Sequence, residues 1–144
     1  MRIRRLNHSV YQVQYHVVWG TKYRYKILKP YVKRVLIRKI FELITIKYPS
    51  WYIHKINTGD DYVHMLLEIP PSVSLAEAVQ KLKANTSIYL KHEFKFIRRI
   101  YDERGVWGVG YFVSTVELNE SQIRGYVEKQ DRFDKGEDMS KEFS

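Results

Sequence analysis

The chain has 144 residues, enough for one compact domain and too few for a second large one. Its 44% hydrophobic and 28% charged residues exclude a disordered polyelectrolyte or a fibre, and the absence of cysteine excludes a disulfide scaffold, a Cys-ligated metal site and thiol catalysis. A net charge of +9, from 25 Lys and Arg against 16 Asp and Glu, favours a polyanionic partner, nucleic acid first.

The charge is polarised along the chain. Eleven basic residues precede the first acid, Glu42, whereas from Glu117 onward eight acids face five bases. Twelve tyrosines, several of them among the early bases (Tyr23, Tyr25, Tyr31), offer rings on which nucleobases stack; the alternative is a merely solvated basic surface. No apolar run reaches the length of a membrane helix or a signal peptide, so the expectation is a cytoplasmic protein with no membrane partner.

Residues 9–19 alternate with period two, placing Tyr11, Val13, Tyr15, Val17 and Trp19 on one face of a strand and His16 on the other. A basic loop leads to Tyr31–Tyr48, where Val32, Val35, Leu36, Ile40, Leu43 and Ile44 have the spacing of an amphipathic helix. Pro49-Ser50 ends it. A hairpin follows, with strands at Trp51–Asn57 and Tyr62–Ile69 turning at Thr58-Gly59-Asp60-Asp61. Ser74 with Glu77 opens a second helix to about Lys91, and a basic, aromatic connection runs through Phe94–Tyr101 to three glycines at 105, 108 and 110. Tyr111–Glu117 reads as a strand, and Asn119 with Gln122 caps a last helix to about Gln130.

The order β-α-β-β-α-β-α predicts an α+β fold, a ferredoxin-like (RRM-like) antiparallel sheet with helices on one face plus an extra C-terminal helix. Residues 1–130 make the domain and 131–144 a polar tail. With helices over the Val63/Met65 face, His16 and His64 project from the opposite, uncovered face. There Asp60 and Asp61 of the hairpin turn complete a candidate nitrogen/oxygen site for Mg²⁺ or Mn²⁺. The plainer alternative is a pair of surface histidines. On the last helix Ile123, Tyr126, Val127 and Gln130 share a stripe, which is either core packing or, because Gln130 needs a polar partner, a polar cleft.

Four blocks carry a resemblance. Tyr15-His16-Val17-Val18-Trp19 with Lys22-Tyr23-Arg24, Asp61 to Pro71, Gly110 to Val116, and Ile123 to Gln130 resemble, in order and spacing, the signature blocks of the small single-tyrosine HUH transposases of two-hundred-type insertion sequences. The resemblance implies cutting and rejoining of single-stranded DNA at hairpin-marked ends. Tyr126 would be the nucleophile forming a 5′-phosphotyrosine, and His64 and Gln130 would hold the divalent ion, to which the hairpin-turn Asp61 is added here as a further candidate ligand. It also implies a homodimer in which the tyrosine helix completes the partner's site.

One position departs from the pattern. The family's His-hydrophobic-His motif reads Tyr62-Val63-His64 here, and a neutral phenol is a poor divalent-metal ligand. Asn57 also stands where relatives often carry an acid; Asp60, Asp61 or His16 would have to compensate. DNA contacts are expected from Arg2, Arg4, Arg5, Lys22, Arg24, Lys26, Lys33 and Arg34. Two further readings stand beside the enzyme. One is a catalytically weakened relative that only binds single-stranded or hairpin DNA; the other is an RNA-binding sheet, for which no segment supplies the aromatic RNP pattern.

Overall fold

The computed structural model describes residues 13–136. Strand β1 (Val13–Gly20) leads through a single 3-10 turn at Lys22–Arg24 into helix α1 (Pro30–Lys47). The hairpin β2 (Tyr52–Thr58) and β3 (Tyr62–Ile69) follows, then α2 (Leu75–Glu93), the short α3 (Lys95–Tyr101), β4 (Phe112–Ser114) and α4 (Glu120–Asp134). The sheet runs β2-β3-β1-β4 with every pairing antiparallel, the predicted ferredoxin-like order.

Alternation in β1 and β3 sets two faces. Val17, Trp19, Val63, Met65 and Leu67 are buried beneath α1 and α2, which contribute Val32, Leu36 and Ile40, and Ala78, Val79 and Leu82. A second, smaller cluster occupies the other face: Val18 and Tyr62 of the sheet pack against Leu118, Ile123 and Val127. That face is therefore not uncovered. The surplus helix α4 lies over its Tyr62 end, because a stripe of Ile123 and Val127 four residues apart requires an apolar seat and Val18 and Tyr62 supply it.

Three boundaries differ from the sequence expectation. The connection at 94–101 contains α3, whose Ile97 and Tyr101 are buried one turn apart while Arg98 and Arg99 mask that pair in the sequence. Strand β4 stops at Ser114, where the Ser114 hydroxyl donates to the Val116 carbonyl and accepts from its N–H, a local turn that competes with the ladder. Helix α4 continues past Gln130 to Asp134, so the expected tail begins inside the helix. Residues 137–144 of that tail lie outside the described residues. No helix among the described residues is long and apolar enough to cross a membrane.

Candidate active site

Register fixes the site's rows. On the α4 side of the sheet Phe112, Val18, His64 and Asn57 stand abreast across β4, β1, β3 and β2, and the next row holds Ser114, His16, Leu66 and Lys55. His16 Nδ1 and His64 Nε2 share a hydrogen bond of 3.3 Å, so one ring donates and the other accepts. His64's pKa is lowered, chiefly by burial and then by the positive charges of His16 and Lys55, with Glu117 and Glu120 opposing. At neutral pH it is an uncharged imidazole, the form that offers a lone pair to a cation or accepts a proton.

Tyr62 points into the same face but toward α4. Its hydroxyl donates to Glu120 Oε2 at 3.1 Å, and the Arg124 guanidinium lies 5.1 Å over its ring. Burial and the Glu120 carboxylate raise its pKa, so the phenol stays protonated and joins helix to sheet. Asp61, fully buried, is held at the same helix end: Arg124 Nη1 donates to its two carboxylate oxygens at 2.8 and 3.0 Å, and Arg24 Nε approaches at 3.5 Å.

Toward its C-terminus α4 presents Tyr126, Gln130 and Asp134. The Tyr126 ring lies 5.7 Å from Phe112, two strands from His64 in the same row, or about 10 Å at ordinary strand spacing. Burial and the nearby Asp134 carboxylate push its pKa up, so in this seat the phenol is a reluctant nucleophile. Gln130 is buried with both amide groups engaged: Oε1 accepts from Gly20 N–H at 3.0 Å and Nε2 donates to the Val109 carbonyl at 3.1 Å. Gly108 permits this approach, since a Cβ there would collide with Gln130 Nε2. Gly110 follows at φ +79°, a conformation that disfavours any side chain, and a Cβ on it would come within 3.8 Å of the Tyr126 hydroxyl.

Of the expected site residues, the fold brings His16, His64 and Asn57 together and seats Tyr62 beside them. Asp60 sits at the turn, 3.7 Å from Lys33, away from this group. Within one chain Asp61 and Gln130 are committed to Arg124 and to backbone groups, and among the described residues no cluster of three His, Asp or Glu side chains could hold a metal. A single copy's donors therefore do not fit a complete Mg²⁺ or Mn²⁺ site. The expected DNA-contact residues are dispersed. Lys33 and Arg34 ride on α1, across the sheet from His64; Lys22 and Arg24 occupy the 3-10 turn beside α4, with Tyr23 and Arg24 at positive φ; Lys26 is exposed after it. Arg2, Arg4 and Arg5 lie outside the described residues.

Sequence reasoning missed Glu120, Arg124 and Asp134. Glu120 and Arg124 stand four apart at the start of α4 and extend its inward stripe, which was the available signal; Asp134 was hidden in an apparent tail. Its carboxylate accepts from the N–H groups of Tyr23 and Val109, both at 3.3 Å.

The fold, a four-stranded antiparallel sheet with helices on both of its faces, is shared with transposases of known structure. The crystal structure of a Deinococcus radiodurans protein described as a transposase superposes with a TM-score of 0.72 at 26% identity, covering 85% of this chain and 93% of that one. A tyrosine transposase bound to a REP hairpin shares the fold with a TM-score of 0.51 at 10% identity, covering 86% of this chain and 68% of that one. The chain belongs to the IS200-like transposase family, whose model matches residues 9–130. It is 32% identical over 139 residues to the transposase of insertion sequence IS200 from Salmonella typhimurium, spanning 94% of this chain and 88% of that protein. To the ISDra2 transposase TnpA of Deinococcus radiodurans it is 25% identical, spanning 84% and 86%.

Proposed function

We propose that this transposase cuts and rejoins single-stranded DNA at hairpin-marked element ends, with Tyr126 as the nucleophile. The Tyr126 phenolic oxygen attacks a backbone phosphorus, the bond from phosphorus to the 3′ oxygen breaks, and a 5′-phosphotyrosyl link and a free 3′-OH result. Attack by a 3′-OH on that link reverses the chemistry and rejoins strands, so no hydrolysis is needed. The observation that carries the reading is the placement of Tyr126 on a helix docked against the His16–His64 face in a chain of this family.

The proposal includes a second copy of the chain. In its own seat Tyr126 is half-buried beside Phe112 and Gln130 is engaged by Gly20 and Val109. Both become available to a neighbouring His64 once α4 leaves that seat for a partner. A divalent ion, Mg²⁺ or Mn²⁺, would then be held by His64 and Gln130; when bound it would neutralise the scissile phosphate. On the protein side, neutral His64 contributes its lone pair, and Tyr126 must lose its proton as it attacks.

A second reading has a specific observation in its favour. Tyr62 stands where the family's motif has histidine, and its hydroxyl is spent on Glu120. That favours a relative that binds hairpin DNA without cutting it. Mapping the products separates the two: the enzyme leaves protein on the 5′ end of the cut strand and a 3′-OH on the other, whereas a binder leaves the oligonucleotide intact until Tyr62→His restores the motif.

A further inference from the structure

We infer that Lys83 of α2 is a positioning residue for the helix that carries Tyr126, acting through the Gly108–Gly110 loop. The Lys83 ammonium donates to the carbonyls of Gly108 at 2.8 Å and Gly110 at 2.7 Å, gathering two oxygens that flank a single residue. That residue, Val109, turns both of its backbone groups to α4. Its carbonyl accepts from Gln130 Nε2 at 3.1 Å, and its N–H donates to Asp134 Oδ1 at 3.3 Å. Asp134 Oδ2 accepts in turn from Tyr23 N–H at 3.3 Å, and Gln130 Oε1 accepts from Gly20 N–H at 3.0 Å. One cation on the far helix thus organises the loop on which the last turn of α4 is seated, and Gly110, at the end of that loop, underlies the Tyr126 hydroxyl.

The alternative for Lys83 is a surface lysine that happens to cap two carbonyls. Two features argue against it. The amine is half-buried, and that burial lowers its pKa to about 8, with Asp134 opposing the shift and Lys22 adding to it, so the fold keeps a lysine there at a cost. Both bonds are short and converge on the loop whose Val109 backbone groups bond to Gln130 and Asp134 of α4. Neither Gln130 nor Asp134 hydrogen-bonds to Lys83; the hydrogen-bonded path runs through Val109, and the Asp134 carboxylate adds a through-space attraction to the ammonium.

Three amides report the seat of α4: Gly20, Tyr23 and Val109 each donate to a side chain of Gln130 or Asp134. In full-length Lys83→Met, hydrogen exchange at these three is expected to quicken about tenfold or more while paired amides of β1 and β3 keep wild-type rates. Lys83→Arg, which restores two donors and the charge, is expected to bring exchange back toward wild type. For the reaction the inference rests on the transposase reading. With a hairpin oligonucleotide bound in advance, Lys83→Met should slow covalent adduct formation about tenfold with hairpin affinity within twofold of wild type.

Wild-type protein that forms no adduct overturns the transposase reading and leaves the exchange measurement to decide Lys83. Unchanged exchange at Gly20, Tyr23 and Val109 in Lys83→Met overturns the inference. Should the β1 and β3 amides also loosen in that variant, Lys83→Gln, which keeps a polar end but is uncharged and one atom too short to bridge both carbonyls, is measured at the same three amides and judged by the same criterion.

Discussion

The Tyr62 side chain packs its ring into the smaller apolar cluster and gives its hydroxyl to Glu120, so its two halves can be tested apart. Tyr62→Phe removes one hydrogen bond and is expected to cost about 1 kcal/mol, and Tyr62→His, which also gives up ring packing, about 2 kcal/mol in thermal or urea denaturation. A stability loss of that kind alongside a gain in DNA cleavage would show that this position exchanges structure for chemistry. His64 gives a pH signature. Its pKa lies below the ordinary 6.5 because it is buried next to His16 and Lys55, so between 6.5 and its folded pKa the unfolded chain binds the extra proton. Stability therefore falls as the pH drops below about 6.5 and levels off once the folded His64 titrates. The difference between wild-type and His64→Gln melting temperatures across pH 7.5 to 4.5 isolates that limb, and a difference independent of pH would contradict the assignment. The faces of the sheet and helix on which His64 and Tyr126 stand were legible in the sequence because period two and period 3.6 assign faces directly, whereas the roles proposed for the two residues came from the family resemblance. The bonds of Tyr62 to Glu120, Asp61 to Arg124 and Gln130 to Gly20 were not legible, because they join residues 58 to 110 positions apart.

Helix α4 is joined to the rest of the fold at both ends. At the first turn the Asn119–Gln122 capping box closes with bonds of 2.8 and 2.9 Å, as read from the sequence, and Asp61 then receives Arg124. Asp61→Asn turns a buried carboxylate into an amide facing two guanidinium groups that both reach solvent. The expected loss is about 2 kcal/mol, below the value for a fully enclosed ion pair, and the first turn of α4 should become the region most accessible to protease. Protease resistance equal to wild type would place the anchoring of α4 elsewhere. Local signals served the helices with clean stripes and caps. They failed for α3, where basic residues surround the buried pair Ile97 and Tyr101, and for β4, where a serine turn ends a segment rich in β-branched and aromatic residues. They failed also for the face that α4 chooses, which depends on Val18 and Tyr62 being left unpaired by the other helices.

Across the whole molecule, the net charge of +9 is offset locally at Asp60 and Asp61, so the turn that carries Lys22 and Arg24 and the outer side of α1 are basic only in part. Contacts to six to eight phosphates would make hairpin affinity fall by about three orders of magnitude between 50 and 200 mM salt; a flat dependence in a binding titration would remove the electrostatic basis of DNA recognition. The same scale holds the question of copies, since one chain supplies His16 and His64 but keeps its own Tyr126 and Gln130 in their seat. A dimer in light scattering is the expected state, and a monomer at micromolar concentration would contradict the exchange of α4.

The proposed function stands or falls on a covalent bond between Tyr126 and DNA. Labelled single-stranded hairpin oligonucleotides carrying the element's ends, incubated with the protein in Mg²⁺, Mn²⁺ or EDTA and resolved under denaturing conditions, test it most directly. The expected result is a protein–DNA adduct that needs the divalent ion and disappears in Tyr126→Phe while hairpin binding persists. Tight binding with no adduct under any ion, or an adduct that survives Tyr126→Phe, would contradict it.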